Sequence, residues 1–296
     1  MNKITFGMIV FESDFVLQEC LEQVYPIAHQ IVVAEGPVDY WQRQGRTTST
    51  DMTNEILHSF PDPENKLTII HGKYKEKDEQ CKAYIDSIKD DTEYLCNLDA
   101  DEIYKSRDLD ILSDYLSQEN PTSIGVQSCT FYGGLSKYLT GFEQNTDNFL
   151  RIFRYIPGST WLTHRPPTMN YPENIRQKHI PSNQFYNDTG IQMYHYSYVF
   201  PDQVYKKISY YKDSVSKQNC IDNYFENIYL PWMNGNDSIK SEIERRYLGV
   251  HEFRPQLRGP CYTKNFADKH PESIESKKSY LLNKIQSQLK NYNKEQ

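Results

Sequence analysis

The first hundred residues alternate between two hydrophobic periods, and that alternation leaves the chain few architectures. The stretches "KITFGMIVF" and "QIVVAEG" read as buried strands. Between them Val16, Cys20, Leu21 and Val24 recur at helical spacing, with Ser13 expected as the N-cap. Met52, Ile56 and Phe60 mark a second helix, "KLTIIHG" a third strand, Tyr84, Ile85 and Ile88 a third helix, and "TEYLCNL" a fourth strand. Strands separated by helices predict an α/β fold, with a mostly parallel sheet flanked by helices on both faces. Further on the alternation decays. Leu109, Leu112 and Leu116 give one more helix, followed by the extended segments "TSIGVQSCTFYGG", "NFLRIFRYI" and "GIQMYHYSYVF". Pro201 opens another helix, and Ile274 to Leu289 carry a C-terminal one. With no internal repeat and no low-complexity linker, the expectation is a single domain over 1–296, with an elaborated C-terminal half from 104 to 296.

In parallel sheets ligands bind beyond the carboxyl ends of the strands. That rule sorts the acids. Glu12 follows the first strand, Glu35 closes the second, and Asp99, Asp101 and Glu102 in "NLDADE" follow the fourth. Carboxylates this close raise one another's pKa unless something positive lies among them. The segment is therefore either a solvated turn or the seat of a divalent cation.

A net charge of −7 opposes general binding to nucleic acid, which needs a basic face to displace counterions. No window reaches the roughly 18 or more apolar residues of a membrane span. The opening "MNKITFGMIVFESDF" reads as a strand broken by acids rather than as a signal peptide. Six dispersed cysteines, none paired at metal-ligand spacing, fit free thiols in a reducing compartment, so a cytoplasmic location is expected.

In this order the landmarks resemble the GT-A fold glycosyltransferases, in particular family 2-like enzymes. The residues that carry the resemblance are Phe11-Glu12 after strand one, Glu35-Gly36 after strand two, the helix start Ser49-Thr50-Asp51-Met52-Thr53, and Leu98 to Glu102. It extends weakly into "RIFRYIPGSTWLTHRPP" and "YHYSY". The chain departs from the family at several points. Phe11 stands where the family has Asn, Cys81-Lys82 where it has an Arg-Asn pair, and "HRPP" where many relatives have "HE". The segment Pro37 to Thr48 is inserted between strand two and the next helix.

The resemblance implies a metal-dependent transfer of a sugar from a nucleotide-sugar donor (UDP-, GDP- or dTDP-linked) to a glycan, lipid-linked or protein acceptor, with inversion. Residues 1–103 would form the nucleotide-binding half. Mn²⁺ or Mg²⁺ would be held by Asp101, with Asp99 and His195 as further ligands; Asp99 alternatively meets the ribose. Glu12, Glu35, Lys82 and Asp99 are expected around the nucleotide. Arg43, Arg46 and Arg165 are further candidates to meet the diphosphate. The proton acceptor lies among His164, Glu102 and Glu173. The alternatives are a nucleotidyltransferase acting on a sugar phosphate, and a non-catalytic carbohydrate-binding protein on the same fold. A Gly-rich basic loop after strand one would mark the nucleotidyltransferase, and "VFESDF" holds neither feature.

Overall fold

A computed structural model describes residues 2–141, 149–213, 220–252 and 259–294. They divide into two compact units. The first holds Met1–Gln127, Asp147–Met193 and Pro271–Ser273; the second holds Ser128–Thr146, Tyr194–His270 and Ile274–Gln296. The first unit thus runs beyond residue 103 and takes in a later segment.

In chain order the first unit contains β1 (Ile4–Val10), α1 (Leu17–Val24), β2 (Ala28–Glu35), α2 (Asp39–Gln42), α3 (Thr53–Ser59), β3 (Leu67–His71), α4 (Lys77–Ile85), β4 (Tyr94–Asn97), β5 (Glu102–Ile103), α5 (Ser106–Glu119) and β6 (Ser123–Gly125). The strands β7 (Ser128–Tyr132) and β8 (Lys137–Leu139) belong to the second unit, and the chain returns to the first with β9 (Leu150–Arg154), β10 (Thr160–His164), β11 (Pro167–Asn170), β12 (His179–Ile180) and α6 (Ser182–Thr189). Its main sheet has seven strands in the order β12-β6-β9-β4-β1-β2-β3. β4, β1, β2 and β3 are parallel neighbours, whereas β9 runs antiparallel to both β4 and β6. This is the α/β architecture expected from the alternation, with its first four strands where the sequence put them.

Burial explains the central strands. Ile4, Phe6, Met8 and Val10 of β1 and Ile31 to Ala34 of β2 are all buried, as a strand covered on both faces requires. Gly7 lies under Tyr84 of α4, where a Cβ would come within 2.3 Å of the ring, so only glycine lets helix and sheet approach this closely. Tyr84 is pinned there by a hydrogen bond that Asn97 Nδ2 donates to its hydroxyl, at 2.6 Å.

Two local expectations need correction. α1 begins at Leu17, and the Ser13 hydroxyl donates instead to the carbonyl of Phe11, so Ser13 is no cap. α3 buries Thr53 and Leu57, while Met52 stays exposed. Packing against α1 selected a different face from the one the apolar spacing marked.

The second unit continues with β13 (Met193–Tyr198, from Tyr194 on), α7 (Pro201–Asp213), α8 (Leu230–Asn234), α9 (Asp237–Tyr247), β14 (Thr263–Asn265) and α10 (Glu272–Lys294, from Ile274 on). Its strands run in the order β14-β8-β7-β13. The core is aromatic: Tyr132 meets Trp232 edge-on at 4.9 Å, and Tyr224, Tyr229 and Phe225 pack around them. Among the described residues no helix is long and apolar enough to cross a membrane. All six cysteines are free thiols.

Candidate active site

The parallel register sets the ends of three strands side by side. Val10 pairs with Glu35, and Glu35 with His71, so the acid that closes β2 lies between β1 and the last residue of β3. Gly36 must follow that acid: its φ is 147°, and a Cβ there would come within 1.9 Å of the Gly72 carbonyl oxygen. Below this edge the buried Gln80 of α4 donates to the carbonyl of Ala34 at 2.7 Å and to that of Val10 at 3.3 Å, which ties the ends of β2 and β1 together.

Glu12 and Glu35 both turn inward onto one short segment, residues 48–50. Glu12 takes a left-handed backbone, φ 50°, a conformation that costs a non-glycine residue about 1–3 kcal/mol and that surrounding contacts must hold. Here its N–H donates to the Ser49 hydroxyl at 2.8 Å, and its Oε1 accepts from the Thr50 N–H at 2.7 Å and the Thr50 hydroxyl at 2.9 Å. Glu35 accepts from the Ser49 N–H at 3.0 Å and pairs with His71 Nδ1 at 3.0 Å. Both carboxylates are buried. They shape the rim around residues 48–50, and groups near them are more open: Arg46, whose Nη1 donates to the Thr50 hydroxyl and lies 3.8 Å from Glu12, and His71.

The segment Pro37–Thr48 is built against this rim. It contains α2, and the Gln42 side chain donates to the carbonyls of Pro37 and Tyr74 at 3.0 and 2.8 Å. Trp41 lies half-buried against Phe11, ring centroids 5.8 Å apart, and edge-on to Tyr40 at 4.7 Å. An aromatic pair thus sits directly beside the turn after β1.

Past β4 the acids diverge in environment. Glu102 is fully buried and faces Arg151 of β9 in a fork: Arg151 Nε donates to Oε2 at 2.8 Å, and Nη2 to Oε1. Arg151 Nη2 also reaches Asp99 Oδ2 at 3.2 Å, and the Asp99 side chain keeps 30% exposure. Burial alone would lower the guanidinium pKa. Glu102 and Asp99 overcome it and raise the pKa well above the usual arginine value, so the charge is permanent. Asp101 is half-buried in the same turn. The arrangement answers part of the electrostatic problem posed by three neighbouring acids: Arg151 neutralises Glu102 and is shared with Asp99.

His164 lies at the end of β10, buried against α4. Its N–H donates to Asp78 Oδ1, and its Nδ1 faces the Cys81 thiol at 3.6 Å. Burial lowers its pKa to about 3, against the opposing pull of the Asp99 charge, and burial raises the Cys81 thiol to about 12. Both are neutral, and their contact fastens the β10–β11 hairpin to α4.

Lys82 is exposed on α4, next to the inward-facing Cys81. Arg43 and Arg165 are exposed as well, and Glu173 with them. His195 lies on β13, in the second unit. Among the described residues no three His, Cys, Asp or Glu side chains gather into a ready metal cage. Two carboxylates, Asp99 and Asp101, nonetheless suit a Mg²⁺ or Mn²⁺ ion, because such ions take only one or two protein carboxylates and complete their shell with phosphate oxygens and water.

Two residues of this site escaped the sequence reading. Arg151 sits inside "NFLRIFRYI", where only its cross-strand position opposite β4 gives it a partner. His71 ends "KLTIIHG", and the strand-end rule applied to acids would have found it had it been applied to histidine.

No family model matches the sequence, and no curated protein sequence matches it. Among solved structures, S. aureus TarS overlays 81% of this chain and 50% of its own at 10% identity, TM-score 0.39. S. aureus TarS 1-349 in complex with UDP-GlcNAc overlays 51% of this chain and 45% of its own at 13% identity, TM-score 0.36. A 4-diphosphocytidyl-2C-methyl-D-erythritol synthase from Anaerococcus prevotii overlays 52% of this chain and 70% of its own at 11% identity, TM-score 0.32. The chain spans about half the length of the TarS structures it matches. Overlays this partial carry no argument about chemistry, and the α/β assignment stands on the sheet order itself.

Proposed function

We propose that the chain is a GT-A type glycosyltransferase that binds a nucleotide-sugar and transfers the sugar to a glycan, lipid-linked or protein acceptor. The observation that carries this reading is the placement of acids at the carboxyl ends of three parallel strands, with Asp99 and Asp101 accessible beyond β4 while Glu102 is neutralised by Arg151. A diphosphate leaving group needs its negative charge balanced as the glycosidic bond breaks. In this reading Asp101, with Asp99, holds Mn²⁺ or Mg²⁺, which when bound supplies Lewis-acid neutralisation of that charge.

The chain's own residues do the rest. Arg151 fixes Asp99 from behind, and Glu102 fixes Arg151. With both oxygens engaged and no exposed surface, Glu102 is a positioning group here rather than the proton acceptor. His164, neutral and buried on Cys81, holds the hairpin. Trp41 and Arg46 offer a face and a charge to the nucleotide beside β1 and β2. Nucleotidyl transfer remains the second reading. It is disfavoured by the turn after β1, Phe11-Glu12-Ser13, which has no glycine and no basic side chain.

The test is thermal stabilisation by UDP, GDP and dTDP with and without Mn²⁺, followed by product analysis with the matching nucleotide-sugars. Metal-dependent stabilisation that Asp101→Ala abolishes in a folded variant, together with release of nucleoside diphosphate, is expected. Release of pyrophosphate would assign the second reading, and no stabilisation by any nucleotide would remove both.

A further inference from the structure

The ends of β3 and α3 bring together two histidines, His71 and His58, that the proposed transfer does not use. His71 Nδ1 lies 3.0 Å from Glu35 Oε2, and the carboxylate is 2% exposed while the imidazole is 45% exposed. A carboxylate only accepts, so Nδ1 must carry the proton of that hydrogen bond. In the neutral ring the lone pair is then on Nε2. His58, exposed on the last turn of α3, stacks on this ring with centroids 5.3 Å apart and planes inclined by 26°.

Two adjacent exposed imidazoles, one of them backed by a buried carboxylate, supply the donors of a borderline transition ion once the exposed His58 ring turns out of the stack, so that its in-plane lone pair converges with that of His71 Nε2. Imidazole nitrogen selects Zn²⁺, Ni²⁺ and Cu²⁺ over Mg²⁺ and Ca²⁺. A metal-bound histidine typically donates its other ring N–H to a carboxylate, which fixes the tautomer and raises the basicity of the ligating nitrogen. Glu35 already holds His71 in that way. We infer that His58 and His71 form a two-imidazole site for a first-row divalent ion such as Ni²⁺ or Zn²⁺, with Glu35 as the supporting carboxylate. The remaining coordination positions go to water. With only two protein ligands the ion is exchangeable, unlike the closed four-ligand sites that hold structural zinc. A bound ion would fasten the end of α3 to the end of β3 and draw on the same carboxylate that holds the Ser49 N–H. The site is separate from the hard-ion carboxylates beyond β4 and does not depend on what reaction they serve.

The experiment is calorimetric titration of the full chain, without a histidine tag, with NiCl₂ in excess MgCl₂, so that oxygen-ligand sites are already saturated. One Ni²⁺ per chain is expected. His58→Ala and His71→Ala should each weaken it at least tenfold, about 1.4 kcal/mol, and Asp101→Ala should leave it unchanged. His58 is exposed, so His58→Ala should keep the thermal transition of the parent in the absence of metal. Because His71→Ala takes a hydrogen bond from the buried Glu35, His71→Gln, which keeps a side-chain donor, is titrated beside it and should weaken Ni²⁺ likewise. Absence of Ni²⁺ binding, or binding that persists in both histidine variants, would overturn the assignment.

Discussion

At the scale of single residues, the acids of this site differ less in sequence than in what they touch. Glu12, Glu35 and Glu102 are spent on the chain's own N–H groups, hydroxyls and Arg151, while Asp99 and Asp101 keep access to water. His164 shows the same logic in a base. Its pKa falls from 6.5 to about 3 because burial penalises the imidazolium. The unfolded chain therefore binds a proton that the folded chain does not, between pH 6.5 and about 3. Stability is fully retained above that window and lost as pH falls through it. Between pH 7 and 5 the loss from this residue should reach about 2 kcal/mol. Urea unfolding at both pH values checks it: His164→Gln should be less stable at pH 7 yet show a flatter acid dependence. An identical pH dependence in parent and variant would mean that His164 is not the buried neutral group described.

At the scale of elements, the segment Pro37–Thr48 is ordered by Gln42 and by the Phe11–Trp41 contact, and it sits against the turn that carries Glu12. A connection of this length without regular structure throughout is more often functional than a spacer. Replacing it with a short Gly-Ser turn should raise the KM for the donor, or lower kcat, by at least about tenfold, equivalent to about 1.4 kcal/mol. Steady-state kinetics in a folded variant decide the matter, and unchanged constants would reduce the segment to packing. Its position beyond β2 was legible in the sequence, because an insertion next to a strand-end acid has nowhere else to begin. Its contact with Phe11 was not, since that depends on how α2 folds back.

At the scale of the whole molecule, the thiols report the distribution of the core. Cys20, Cys81, Cys96, Cys129 and Cys261 are buried, and Cys220 is half-buried. Burial raises the pKa of Cys20, Cys81 and Cys96, so these remain protonated as well as shielded. Titration of the native chain with a thiol-reactive disulfide should modify Cys220 first, and denaturant should release all six. Rapid native reaction at Cys81 would show that the hairpin fastened by His164 opens readily.

The sequence by itself determined the alternation of strands and helices, hence a mostly parallel sheet, and with it the edge at which Glu12, Glu35 and Asp99 gather. Hydrophobic period and strand-end position are local properties, readable within a few residues. Tertiary structure decided which of those acids remains open. Arg151 meets Glu102 across 49 positions of sequence, His71 meets Glu35 across 36, and Ser49 reaches Glu12 across 37. No local pattern encodes such partners. A carboxylate's availability depends on whether a distant donor is brought to it by strand register and side-chain packing, and that is settled only when the sheet closes.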